Sequence, residues 1–262
     1  MNKQQKTGKK IRSLDEVLQS YRDLINGSEM FSNLKETLSQ HKDEIHSIRC
    51  LAIGSFTQDF PAKYQIALLL ELIAYLQSNE NTIQVSIYDP VFNGSDLEYL
   101  VKNYPKWETK YEVDKEVFNS NSTLFFLPHA PLDLTEQVLQ TEKPKFFLAN
   151  NIIQHTDRYT KGELNEKYPL LSKLVHLVES KSETAQPQEV AVSASKDGFE
   201  AFVPKRKRKQ KSKYKLIEKV IDFDSIQSTF TQCTITTTFE EGKLLRDKPW
   251  VNSFSDLAMH II

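Results

Sequence analysis

The sequence predicts an α/β domain built around a mostly parallel sheet, and three observations carry that prediction. Strand-like runs at residues 48–53, 83–88, 122–127 and 145–149 alternate with helix-period segments at 61–78, 95–103, 132–140 and 164–179. A parallel strand pair needs a crossover long enough to hold such a helix. The runs from Leu124 to Leu127 and from Phe146 to Leu148 are apolar throughout, the pattern of strands covered on both faces. The stretch from Leu51 to Phe56 breaks at a lone glycine, Gly54, before a helix that opens on Pro61, and the next strand ends on Asp89. That is the order in which a nucleotide-binding βαβ unit presents its groups. The expected architecture is Rossmann-like: a mostly parallel sheet with helices on both faces, an N-terminal helical extension and a disordered basic insertion.

Taken in order, residues 1–12 read as a polar, basic, disordered tail. Ser13 and Glu16 have the spacing of a capping box, and Leu14, Val17, Leu18, Tyr21, Leu24 and Ile25 follow at helical period until Asn26 and Gly27. A second helix carrying Phe31, Leu34, Leu38 and Ile45 leads into the first strand, so residues 13–46 form an extension packed on a core of residues 47–179. Pro61 costs no hydrogen bond in a first helical turn, and the apolar segment 66–72 behind it belongs inside. A weaker strand is expected at 111–113. From 180 to 215 Ser, Glu, Gln, Pro and Ala give way to a basic run, with eight Lys or Arg among the eleven residues from Lys205 to Lys215. So few large apolar groups cannot offset ordering entropy, which predicts a disordered linker whose residues 183–212 can be deleted at little cost. Strand-like composition at 216–223 and 229–239 and the final residues complete the same domain, with a mixed α+β sheet as the alternative for this last third.

A chain of 262 residues with 39% hydrophobic content can bury one sizeable core, and 34 Lys and Arg against 35 Asp and Glu leave no overall case for a nucleic-acid or membrane partner. No apolar run reaches membrane-spanning length and the amino terminus lacks a secretory pattern, which predicts an intracellular protein. Cys50 and Cys233 lie inside strand-like runs and give no zinc spacing. Walker, metalloprotease and hydrolase-elbow patterns are absent as well, so no metal is expected and no cofactor is named.

In an open parallel sheet ligands bind beyond the carboxyl ends of the strands. Those ends carry Gly54, Ser55 and Phe56, then Asp89, then His129, then Asn150 and Asn151. The helix start at 59–64 offers unpaired N–H groups to an anion, with Lys63 as a nearby cation; the plain alternative is a strand-to-helix turn capped by Asp59. Asp89 either accepts from a ribose hydroxyl or serves as a turn residue before Pro90. His129, set between prolines, is either an acid, base or ligand, or a hydrogen-bonded structural histidine. Asp89, His129, Asn150 and His260 are expected to face one cavity lined partly by Phe56, with Gly54 as the closest backbone approach. The run Lys205, Arg206, Lys207, Arg208 and Lys209 suits an import receptor or loose phosphate contact, or is simply solvated; without interleaved aromatics it does not suit nucleic acid.

Several of these segments also carry a resemblance. Gly54 to Phe56, Ala62 to Leu69, Tyr88 to Phe92, Leu124 to His129 and Ser253 to His260 resemble, in order, the motifs of the Sensitivity-to-Red-light-Reduced-like (SRR-like) domain family. The resemblance covers residues 48–178 and the last ten. It implies a regulatory protein, since members are known as regulators in plants, fungi and animals with links to light and clock input, microtubule-related processes and haem metabolism. It also marks Asp256 and His260, which would share a helix face and could join His129 in a catalytic imidazole–carboxylate cluster, or could tie down the chain end. Ser255 and Leu257 stand where the family usually has Asn and Thr. The expected function is a regulatory or interaction protein in microtubule-related or stress and growth regulation, cytoplasmic with nuclear access and working through protein partners, without established catalysis. The alternative is an enzyme or a sensor of a nucleotide-like small molecule with His129 as acid/base.

Overall fold

The computed structural model describes residues 12–79, 81–185 and 220–262. The Ser13 capping box forms as its spacing predicts: Ser13 N donates to Glu16 Oε2 at 2.9 Å and Glu16 N to Ser13 Oγ at 3.2 Å. It opens α1 (Leu14–Asn26), and α2 (Glu29–Ser39) is capped by Ser28 alone, whose side chain accepts from Phe31 N.

The strands β1 (Ser47–Leu51), β2 (Gln84–Tyr88), β3 (Thr123–Leu127) and β4 (Phe146–Asn150) alternate with α3 (Phe60–Leu76), α4 (Gly94–Asn103) and α5 (Leu132–Thr141). They are followed by α6 (Ile152–Thr156), α7 (Lys161–Lys167), α8 (Pro169–Ala185), β5 (Thr234–Thr237), α9 (Val251–Phe254) and β6 (Leu257–Ile261). The sheet runs β2-β1-β3-β4-β6-β5. β1 pairs parallel with β2 and β3, and β3 with β4, while β6 returns antiparallel to β4 and carries β5 antiparallel at its outer edge. The mostly parallel prediction holds for the βαβ part, and β1 lies inside the sheet.

Alternate strand residues face opposite cores, as a pleated sheet requires. Ile48, Cys50, Leu124, Phe126, Phe146 and Leu148 join the core under α1, α2 and α3. Leu51, Phe125, Leu127, Phe147 and Ala149 face the other side with Val138 of α5. The apolar segment of α3 is buried on nearly every side, against α1 and α9 as well as the sheet.

Five expectations are corrected. Residues 111–113 form no strand; the chain touches β2 through one isolated bridge, Ser86 to Glu108, and the Tyr111 carbonyl is taken by Arg49 Nη2. The helix expected over 164–179 is broken between α7 and α8, where Pro169 cannot continue the preceding turn. α8 then runs on to Ala185, inside the expected linker. The strand expected at 216–223 is not formed in its described residues, Phe223–Ser225 being a 3-10 turn, and the strand expected at 229–239 shrinks to β5. The rest of the basic insertion and the import-receptor residues Lys205 to Lys209 lie outside the described residues.

Candidate functional site

The chain leaves β1 for β2 on one side and returns through β3 on the other, so the order of strands reverses between β1 and β3. Ligands of open α/β sheets bind at such a switch point, beyond the carboxyl ends of the strands. A crevice of about 510 Å³ opens there, lined by Ala52 and Gly54 after β1, Asp89 and Val91 after β2, and His129 and Leu134 after β3 and on α5. Asp59, Pro61, Ala62 and Gln65 from the start of α3, and Asn252 from α9, close its remaining side. The size is that of small-molecule sites, ~300–1,000 Å³.

The backbone at its floor is held in the left-handed region, at φ 58° for Ala52 and 73° for Gly54. Such geometry costs a non-glycine residue about 1–2 kcal/mol. A Cβ at Gly54 would meet Asp59 Oδ2 at 3.6 Å and Ala62 Cβ at 3.7 Å, so it would project toward the start of α3. Asp89 holds this turn in place: its Oδ2 accepts from Gly54 N at 2.8 Å and its Oδ1 from Val91 N at 2.9 Å. Asp59 is the N-cap of α3 by backbone, yet its side chain makes no cap hydrogen bond. His129 is exposed at the end of β3.

Residues 31–261 match the family model of the SRR1 domain. The chain belongs to the SRR1 domain family. No solved structure matches it. The match takes in α2 and the whole C-terminal part, beyond the segments whose motifs show the resemblance.

Within the SRR1 domain the sequence-derived residues fall into three groups. Gly54, Asp89 and His129 meet in the crevice. Ser55, Phe56 and Lys63 do not line it. Ser55 Oγ donates to Asp96 Oδ2 at 2.7 Å, in a network with Thr57 N and Asn93 that ties the β1–α3 loop to the start of α4. Phe56 is fully buried, edge-on to Phe92 and Tyr99, because the loop turns it into the core. Lys63 Nζ folds back onto the carbonyls of Gln58 and Asp59 at 3.2 and 3.5 Å.

The third group sits between β4, α6 and β6. Asp256 and His260 do not share a helix face, because α9 stops at Phe254 and the buried run Leu257 to Met259 pairs with β4 as a strand. His260 is fully buried: its Nδ1 lies 3.1 Å from Phe147 O and its Nε2 3.4 Å from Ile152 N. Burial pushes its pKa down to about 4. Asn150 Nδ2 donates to both Asp256 oxygens at 3.0 Å, and His155 Nδ1 stands 3.4 Å from Asp256 Oδ2. Burial pushes the Asp256 carboxyl up, but the hydrogen bonds from His155 and Asn150 outweigh it and leave the group below the usual aspartate range. Asn151 caps α6 through Ile153 N and Gln154 N. Asn150 and His260 are therefore separate from the crevice, and no His129–Asp256–His260 cluster forms.

Sequence reasoning missed His155 and most of the crevice wall. Asp59 and Pro61 stood in plain view as a helix start, but Gln65, Leu134 and Asn252 carry no local signal; they reach the crevice only because α3, α5 and α9 converge on it. Among the described residues no group of His, Cys, Asp and Glu is arranged to hold a metal, and no helix is long and apolar enough to cross a membrane.

Proposed function

We propose that this SRR1-domain chain is a regulatory protein that acts by binding, with the switch-point crevice as the receptor for a small nucleoside- or nucleotide-like ligand whose occupancy is read by protein partners. The observation that carries the reading is the meeting of Gly54, Asp89 and His129, from the ends of three neighbouring parallel strands, in one crevice at the reversal of strand order. Binding is favoured over turnover by the way the polar groups are used. Both Asp89 oxygens are engaged by main-chain N–H groups, and no hydrogen bond orients the exposed His129 ring among the described residues. An acid/base histidine works best when a second group fixes its tautomer and direction. The family resemblance supplies the wider setting: microtubule-related or stress and growth regulation, in the cytoplasm with nuclear access through residues 205–209.

Mass spectrometry of small molecules retained by the natively purified protein tests this. Wild type should retain one ligand, and Val91→Trp, placed at the exposed mouth of the crevice, should lose it at an unchanged melting temperature. Retention indifferent to Val91→Trp, or conversion of the retained molecule on incubation, would overturn the reading.

A further inference from the structure

We infer that the crevice selects an unphosphorylated ligand of the ribonucleoside class and rejects the corresponding nucleotides; this rests on the small-ligand reading above. In phosphate-binding βα turns the glycine N–H and the first-turn N–H groups of the helix point at the anion, helped by a cation. Two of those parts, the glycine N–H and the cation, are committed elsewhere in this chain, and the helix start has lost one of its donors to a proline. Gly54 N–H donates to Asp89 at 2.8 Å. Pro61 removes a donor from the middle of the first turn of α3, between Phe60 and Ala62. Lys63, the cation nearest that turn in sequence, is folded back onto main-chain carbonyls. No Lys or Arg lines the crevice.

What the crevice offers instead is acceptors. The Asp59 carboxylate lies at the start of α3, facing the Gly54 turn, with no hydrogen bond or ion pair among the described residues. A charge at the helix amino end is already supplied by this side chain, so an incoming phosphate would meet a like charge where the helix would otherwise attract it. Each Asp89 oxygen accepts one main-chain bond and keeps a further lone pair. Asp59 and Asp89 both stand beside the Gly54 turn, and two such carboxylates suit a vicinal diol, whose two hydroxyls both donate. The remaining walls, formed by Ile53, Pro61, Pro90, Val91, Pro131 and Leu134, are apolar and can cover a flat base.

The test is calorimetric titration of the full chain with adenosine, guanosine, cytidine and uridine and with their 5′-monophosphates. One nucleoside should bind at least about tenfold more tightly than its monophosphate, a gap of about 1.4 kcal/mol. Asp59→Asn should shrink that gap to less than about threefold by relieving the repulsion. A monophosphate that binds as well as its nucleoside, or a gap that Asp59→Asn leaves intact, overturns the inference. If the monophosphate binding is abolished by Val91→Trp, the small-ligand reading survives that failure. Binding by none of the eight compounds also overturns the nucleoside assignment, while retention of a different nucleotide-like molecule, lost in Val91→Trp, would still uphold the reading beneath it.

Discussion

Acid should loosen the attachment of β6 to β4, and His260 is the group through which it does so. The ring donates from Nδ1 to Phe147 O and accepts at Nε2 from Ile152 N, an arrangement that only the neutral imidazole can satisfy. Burial lowers its pKa from the ordinary histidine value of 6.5 to about 4. The folded state therefore holds fewer protons than the unfolded chain between these two values, and stability present above the unfolded pKa is lost as pH falls toward the folded one. At pH 5 the linkage costs about 2 kcal/mol, rising to about 3 kcal/mol near pH 4. That is a large share of the ~5–15 kcal/mol by which domains are stable. Urea unfolding at about pH 7.5 and pH 5 should show the wild type losing about 2 kcal/mol more than His260→Gln across that interval. The glutamine amide can donate to Phe147 O and accept from Ile152 N without titrating, and carboxylates common to both proteins cancel in the difference. Equal losses in the two proteins would refute the buried neutral imidazole.

Two further outcomes follow from the β1–α3 loop. Asp96 is fully buried and its carboxylate accepts from Ser55 Oγ, Thr57 N and Asn93 N; Asp96→Ala should cost at least about 3 kcal/mol in urea unfolding by leaving those donors unpaired, and a loss below about 1 kcal/mol would mean the network does not hold the loop. Gly54→Ala should cost about 1–2 kcal/mol, the penalty for a left-handed φ of 73°, since its new Cβ would meet only ordinary contacts; a loss within about 0.5 kcal/mol would show that the loop does not need that conformation.

The sequence by itself determined the βαβ part of this protein. The periodic and apolar patterns of residues 47–150 are local, each run being long enough to show its own period, and the capping signals at Ser13 and the proline at 61 mark helix starts through bonds made within one turn. Strand ends are local too, which is why Gly54, Asp89 and His129 were legible as neighbours in a parallel sheet. The tertiary structure alone decided which polar groups remain available. Ser55 and Phe56 follow Gly54 in the chain, yet Ser55 turns into the Asp96 network and Phe56 into the core, because the path of the loop and not a strand period sets where each side chain points. The fate of the closing motif was likewise beyond local reading: the Asp256 to His260 spacing fits a helix face, but burial of Leu257 and Met259 against β4 outweighs it and makes a strand. Gln65, Leu134 and Asn252 became crevice walls through the packing of three helices far apart in sequence. Backbone pattern is written residue by residue; a cavity is written only by what the chain brings together.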